Sequence, residues 1–142
     1  MYIMVSADKS YDYKYEGEEE RKKRLHLKAL DVPFVPGVYI MHDKSGKIIY
    51  VGKSKALHNR LGQYFSPAAK NNIKTEHMVR AVYDFEYIIT DTEIEALALE
   101  NKLIKVHSPK YNILLKDDKG YHYIRISPPP FSRISEARVK LD

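Results

Sequence analysis

A chain of 142 residues has the length of one domain, enough to bury a core without covalent staples. It has no Cys, which excludes disulfides, zinc–thiolate centres and thiol catalysis and is compatible with a cytoplasmic setting. No apolar run is long enough to span a membrane, and Met1 to Asp8 is too short and too soon charged for a signal peptide.

Residues 1–16 carry four Tyr and little periodic pattern, and read as a flexible or loosely docked arm. Residues 17–31 read as a helix: Glu18, Glu19 and Glu20 suit its positive end, and Leu25, Leu27 and Leu30 supply apolar contacts. Pro33 and Pro36 close that element. Val38 to His42, the turn Asp43-Lys44-Ser45-Gly46 and Lys47 to Val51 read as a β-hairpin. Residues 55–65 form the next expected helix, with Ser54 as N-cap and Leu57, Leu61 and Phe65 on its apolar side. A second helix follows over 73–83, then a third strand over 85–90. Thr92 and Glu95 make a capping-box pattern, opening a helix that runs to about His107 and stops before Pro109. Tyr111 to Leu115 reads as extended, and Tyr121 to Ile126 as a further strand. The fold class is α+β, a small three-stranded antiparallel sheet flanked by helices.

Charge is unevenly placed. The net charge of +5 is modest, but residues 44–80 carry eight Lys or Arg against the single Glu76. This block is interleaved with Tyr50, His58, Tyr64, Phe65 and His77, a mixture suited to a phosphate backbone. A solvated, charge-alternating surface would give the same composition. The six His show no metal-ligand spacing and read as surface or incidental.

Glu100 is the most informative single residue. Its helical neighbours at three and four residues are Ala96, Leu97, Leu103 and Ile104, all apolar. A carboxylate there loses hydration and needs a metal ion, a basic side chain or a proton, unless it bends from a rim position into water. Tyr50 and Lys53, with Arg60 and Tyr64 four apart on one helix face, could present two cations and two phenols to one anion. A phosphodiester in its transition state is such an anion.

Gly37-Val38-Tyr39 followed by Tyr50-Val51-Gly52 resembles the paired signature of the GIY-YIG nucleases, with Val for the central Ile in both halves. The likeness continues through Lys53-Ser54-Lys55-Ala56-Leu57, Arg60, Tyr64-Phe65, Thr90 to Glu93, Glu95 to Asn101, Leu103-Ile104-Lys105, Pro109 to Asn112 and Lys116 to Lys119. In order and spacing these resemble the N-terminal nuclease domain found in the C component of excinuclease ABC, over about residues 35–127.

The resemblance implies the GIY-YIG fold and a metal-dependent DNA endonuclease, either making the 3′-side incision of nucleotide excision repair or a stand-alone relative. It implies that Tyr39 orients Tyr50, that Tyr50 is the general base, and that Lys53, Arg60 and Tyr64 surround the scissile phosphate. It further implies that Glu100 holds one divalent cation, Mg²⁺ or Mn²⁺, and that Asn112 supports the site. DNA is the implied partner, with a damage-presenting excision-repair protein beside it. The chain then reads as an arm and helix (1–31), a nuclease domain (32–127) and a Pro-rich tail (128–142), either cut from a longer protein or natural as it stands. The competing reading is a non-catalytic DNA- or partner-binding module that uses the basic 44–80 region. Such a module has no use for a desolvated carboxylate beside a phosphate site. A plain α+β interaction domain would leave the ordered motifs to chance.

Overall fold

The structure is a computed structural model and describes residues 3–7 and 11–115. The expected strand at Tyr121 to Ile126, the Lys116 to Lys119 motif, His122 and the 128–142 tail lie outside the described residues. The chain divides into two compact units, residues 1–112 and 113–142. The sheet and its flanking helices belong to the first.

The hairpin forms where expected, as β2 (Gly37–His42) and β3 (Ile48–Ser54), and its turn explains its register. One Asp43 carboxylate oxygen accepts from the Ser45 amide, the Ser45 hydroxyl and the Lys47 amide, at 2.9, 2.7 and 3.0 Å. Gly46 takes a φ of +87°, open to residues without a Cβ. Strand β4 (Asp84–Ile89) pairs antiparallel with the other side of β2. Among the described residues the sheet nevertheless has four strands rather than three: Ile3–Val5 of the arm forms β1 and pairs antiparallel with β4, giving the order β1-β4-β2-β3.

All six residues of the central β2 are buried, and they feed two cores by alternation. Val38 and Ile40 join Val51 and Ala96, with Leu99, Leu103 and Ile104 packed against them from helix α4 (Glu93–His107). Tyr39 and Met41 point to the opposite face, where Phe85 stacks on Phe65 with ring centroids 5.5 Å apart. Phe65 ends helix α2 (Leu57–Phe65), whose Leu57 and Leu61 are also buried as expected.

Helix α1 (Glu18–Leu30) differs from expectation in its buried face. Leu25 and Ala29 are buried, one turn from a buried Arg21, whereas Leu27 and Leu30 are 52 and 53 % exposed. The buried stripe is an i, i+4 row in which Arg21 takes the place of an apolar residue. Its guanidinium donates to the carbonyls of Val79 and Val82, at 3.3 and 2.8 Å, and so ties α1 to the end of helix α3 (Ile73–Ala81). The arm is docked more firmly than its composition suggested. After a single 3-10 turn at Tyr13–Tyr15, the buried Glu16 carboxylate meets Arg24 at 2.6 Å.

Three local expectations change. Helix α2 begins at Leu57, not at 55, because Ser54 still belongs to β3; the N-cap position is Ala56, and the Ser54 hydroxyl accepts from the Ala56 amide. The first amides of α2 are satisfied instead by Val35 and Pro33 carbonyls. Second, residues from Lys110 to Leu114 are helical (α5) rather than extended. Pro109 supplies the carbonyl that receives the Asn112 amide, so the proline starts a new turn after closing the old one. Third, His42 is buried rather than on the surface, its Nε2 3.0 Å from Glu86. The capping box of Thr92 and Glu95 forms as expected, and α4 ends at Ser108, in a left-handed conformation before Pro109. Among the described residues no helix is long and apolar enough to cross a membrane.

Candidate active site

The edge of the sheet at β3 is where the predicted residues gather. Strand β2 supplies Tyr39 and β3 supplies Tyr50, while α2 turns Tyr64 toward both. The Tyr39 and Tyr64 hydroxyls are 2.9 Å apart. The Tyr39 ring lies 6.1 Å from that of Tyr50 and 5.8 Å from that of Tyr64. Three phenols from three elements thus converge.

Register explains why this is possible. Tyr39 stands opposite Gly52, and its ring lies across that glycine. A Cβ at Gly52 would overlap both the hydroxyl and the adjoining ring carbon of Tyr39. Gly37 is equally confined, since a Cβ there would strike the Ile88 carbonyl and the Leu57 side chain. The two glycines of the paired signature are therefore space requirements, one for the phenol and one for the strand and helix that flank it. The spacing of the motif marked both residues, but not the side chain that fills the space over Gly52.

Electrostatics at the phenols oppose ionisation. Burial pushes the Tyr50 hydroxyl well above the ordinary phenol value, and neighbouring Tyr64 and Glu100 add to the shift. Tyr39, fully buried, is also raised, by burial first and then by Tyr64 and Tyr50, with Arg60 acting in the opposite sense. The exposed Arg60, one turn before Tyr64 on α2, is therefore close enough for its charge to reach the cluster.

Glu100 on α4 acts on Tyr50 from the other side. Its surroundings are less apolar than the sequence suggested: Ala96 is buried, but Leu97 is 44 % exposed, and Glu100 itself is half-buried. It sits on the rim of the core, which reconciles partial desolvation with access. Among the described residues no three His, Cys, Asp or Glu cluster as a metal cage.

Asn112 acts on the backbone of the strand. Its side-chain amide closes on the backbone of Val51: Oδ1 accepts from the Val51 amide at 2.9 Å, and Nδ2 donates to its carbonyl at 2.8 Å. Among the described residues β3 is the last strand of the sheet, and these groups have no strand partner on that side. Asn112 thereby fixes the backbone next to Tyr50. The preceding Tyr111 is anchored by its hydroxyl, 2.9 Å from Nδ1 of His77 on α3.

Lys53, like Asn112, is a predicted residue whose polar contact lies away from the phenols. Alternation along β3 turns it toward α4, where its ammonium lies 3.3 Å from Glu93. The other histidine of the basic block, His58, is also engaged within the protein: its Nδ1 is 2.7 Å from the Val32 carbonyl and its ring stacks on Phe34.

A family profile described as a UvrC-like GIY-YIG domain matches residues 35–113. The chain is 52 % identical over 114 residues to UvrABC system protein C of Caldicellulosiruptor saccharolyticus, covering 80 % of this chain and 19 % of that protein. It is 60 % identical over 96 residues to the protein of that name from a Thermoanaerobacter species, covering 68 % of this chain and 16 % of that one. The chain thus spans less than a fifth of the length of these curated relatives. Among solved structures, it is similar to the GIY-YIG N-terminal endonuclease domain of UvrC from Thermotoga maritima bound to its catalytic divalent cation, magnesium. The TM-score is 0.56 at 39 % identity, over 63 % of this chain and 96 % of that one.

Proposed function

Because the chain belongs to the UvrC-like GIY-YIG domain family, we propose that it hydrolyses a DNA phosphodiester at the β3 edge, using one divalent cation held by Glu100. The observation that carries this reading is the convergence of Tyr39, Tyr50 and Tyr64 under the opposed charges of Arg60 and Glu100. We further propose that the cut is an incision of nucleotide excision repair, 3′ to a lesion, made on DNA presented by a partner protein.

The residues fit the cation. Glu100 offers one half-buried carboxylate whose charge reaches the Tyr50 phenol, a hard oxygen donor, and Mg²⁺ keeps several of its own waters. Mn²⁺ accepts the same donors. When bound, the cation supplies Lewis-acid stabilisation of charge on the phosphoryl oxygens.

The chain's own groups do the rest. Tyr50 stands as proton acceptor for the attacking water, but burial, Tyr64 and Glu100 hold its proton in place in the free protein. Neutralising the Glu100 charge would remove one of those contributions and ease loss of the phenol proton to solvent, leaving the phenolate that takes the attacking water's proton. Tyr39, locked over Gly52 and sharing a hydrogen bond with Tyr64, fixes the direction of the cluster. Arg60 and Lys53 offer positive charge to the phosphoryl oxygens as the water attacks and the bridging oxygen departs. Asn112 keeps the strand beneath Tyr50 in register.

The test is nicking of supercoiled plasmid and of a lesion-bearing duplex with Mg²⁺ or Mn²⁺, against chelator and Glu100→Ala. The expected result is metal-dependent cutting that Glu100→Ala abolishes while retaining the fold and most DNA binding. Full cleavage by that variant would sink the metal assignment. DNA binding without cleavage under any metal, even with the presenting partner's DNA complex, would favour the binding module.

A further inference from the structure

Lys53 and Tyr50 stand three residues apart on β3, about 10 Å along the strand. Glu93 and Glu100 stand seven apart on α4, two turns and also about 10 Å. Glu93 meets Lys53 while Glu100 acts on Tyr50, so helix and strand run side by side in opposite directions with their charged groups in step. One carboxylate of α4 therefore adds its charge to the environment of the Tyr50 phenol, and the other holds the only lysine of the phosphate set. The Lys53 and Glu93 side chains are 32 and 51 % exposed, so both can exchange partners with solvent or ligand. Such an exposed pair is weak enough for a DNA phosphate to displace.

We propose that Glu93 is a positioning residue that holds the Lys53 ammonium on the α4 side and yields it to a phosphate oxygen when DNA binds. The inference rests on the nuclease reading above. Its carboxylate stands in for the phosphate in the free protein, keeping the long lysine side chain extended along the edge of β3. Glu93 then sets the electrostatic cost of DNA entry without touching the reacting atoms. When DNA binds, the freed carboxylate takes up a cation from solution. That uptake offsets part of the counterion release that accompanies neutralising a phosphate.

The experiment is a salt titration of duplex binding by the 142-residue chain, followed by fluorescence anisotropy without divalent cations. Glu93→Gln is expected to bind more tightly at low salt and to steepen the slope of log K against log salt, by up to about 0.9. Glu93→Asp should restore the wild-type slope. In a Lys53→Gln background, Glu93→Gln should no longer change the slope. In cleavage assays Glu93→Gln should lower KM and leave kcat unchanged. A merely structural role at the start of α4 would alter stability but not the slope. An unchanged slope with binding intact, or the same steepening without Lys53, overturns the inference alone. A wild-type chain that binds no duplex overturns this inference and leaves the nuclease reading to the nicking assay with the presenting partner's DNA complex.

Discussion

Gly52 shows that at the scale of single residues this site is limited by space before charge. The Tyr39 ring occupies the volume that any other side chain would need, with the Tyr64 hydroxyl bonded to its far end. Gly52→Ala should therefore cost about 1–3 kcal/mol, the usual penalty of overpacking a filled interior. It should also cut the nicking rate, because Tyr39 must swing off Tyr64 and Tyr50. Urea denaturation and plasmid nicking check the two halves; wild-type stability in this variant would mean that the ring moves at no cost. Asn112 makes the opposite kind of contribution, through backbone alone. Asn112→Ala leaves the Val51 amide and carbonyl without their partner at a strand edge, which should cost about 1–3 kcal/mol. If its role is to hold β3 in register, kcat should fall more than KM; a loss confined to KM would make Asn112 a substrate contact.

Whole elements are joined by buried polar groups that periodicity alone does not reveal. Arg21 occupies a core position of α1 because its guanidinium satisfies two carbonyls at the end of α3. Arg21→Met should retain much of the packing but strand those carbonyls, with a loss of about 1–3 kcal/mol in urea unfolding. A neutral result would show that water replaces the guanidinium. His42 and Glu86 join β2 to β4 in the same way. Burial opposes a charge on His42, but the bond to Glu86, the Gly46 carbonyl and the Asp84 charge outweigh it and raise the imidazole above 6.5. Since the folded value is raised, this pair's stabilisation is fully present below about pH 6.5 and is lost as pH climbs through the folded value. Thermal midpoints of the wild type and His42→Gln should accordingly differ most at pH 5–6 and converge toward pH 8. A constant gap across that range would show that His42 does not change its charge there.

For the molecule as a whole, the sequence was most legible where local chemistry and tertiary packing agree. The β2–β3 hairpin, the capping box of α4 and the buried side of α2 each carry their own signal, in turn residues, caps and period. The convergence of phenols was legible only as a motif, since nothing in the spacing of Tyr39, Tyr50 and Tyr64 brings them together. Lys53 lies on the α4 side of β3 because alternation along a strand decides its side, and its pairing with Glu93 had no signal in the spacing. Strand β1 was missed for a different reason: three residues give no usable period, and Ile3, Met4 and Val5 remain 59, 52 and 36 % exposed. Their strand is held by backbone pairing with β4 more than by burial. Removing residues 1–7 should thus lower stability only slightly, on the order of 1 kcal/mol, while Glu16 and Arg24 keep the rest of the arm docked. The site lies at β3, the far edge of the sheet, so nicking should proceed at the wild-type rate. The exposed flank of β4 would then be an unprotected edge, and the truncated chain should self-associate more readily at high concentration. Urea midpoints, nicking rates and light scattering test these three effects, and loss of nicking in a folded truncation would place the arm within reach of the DNA.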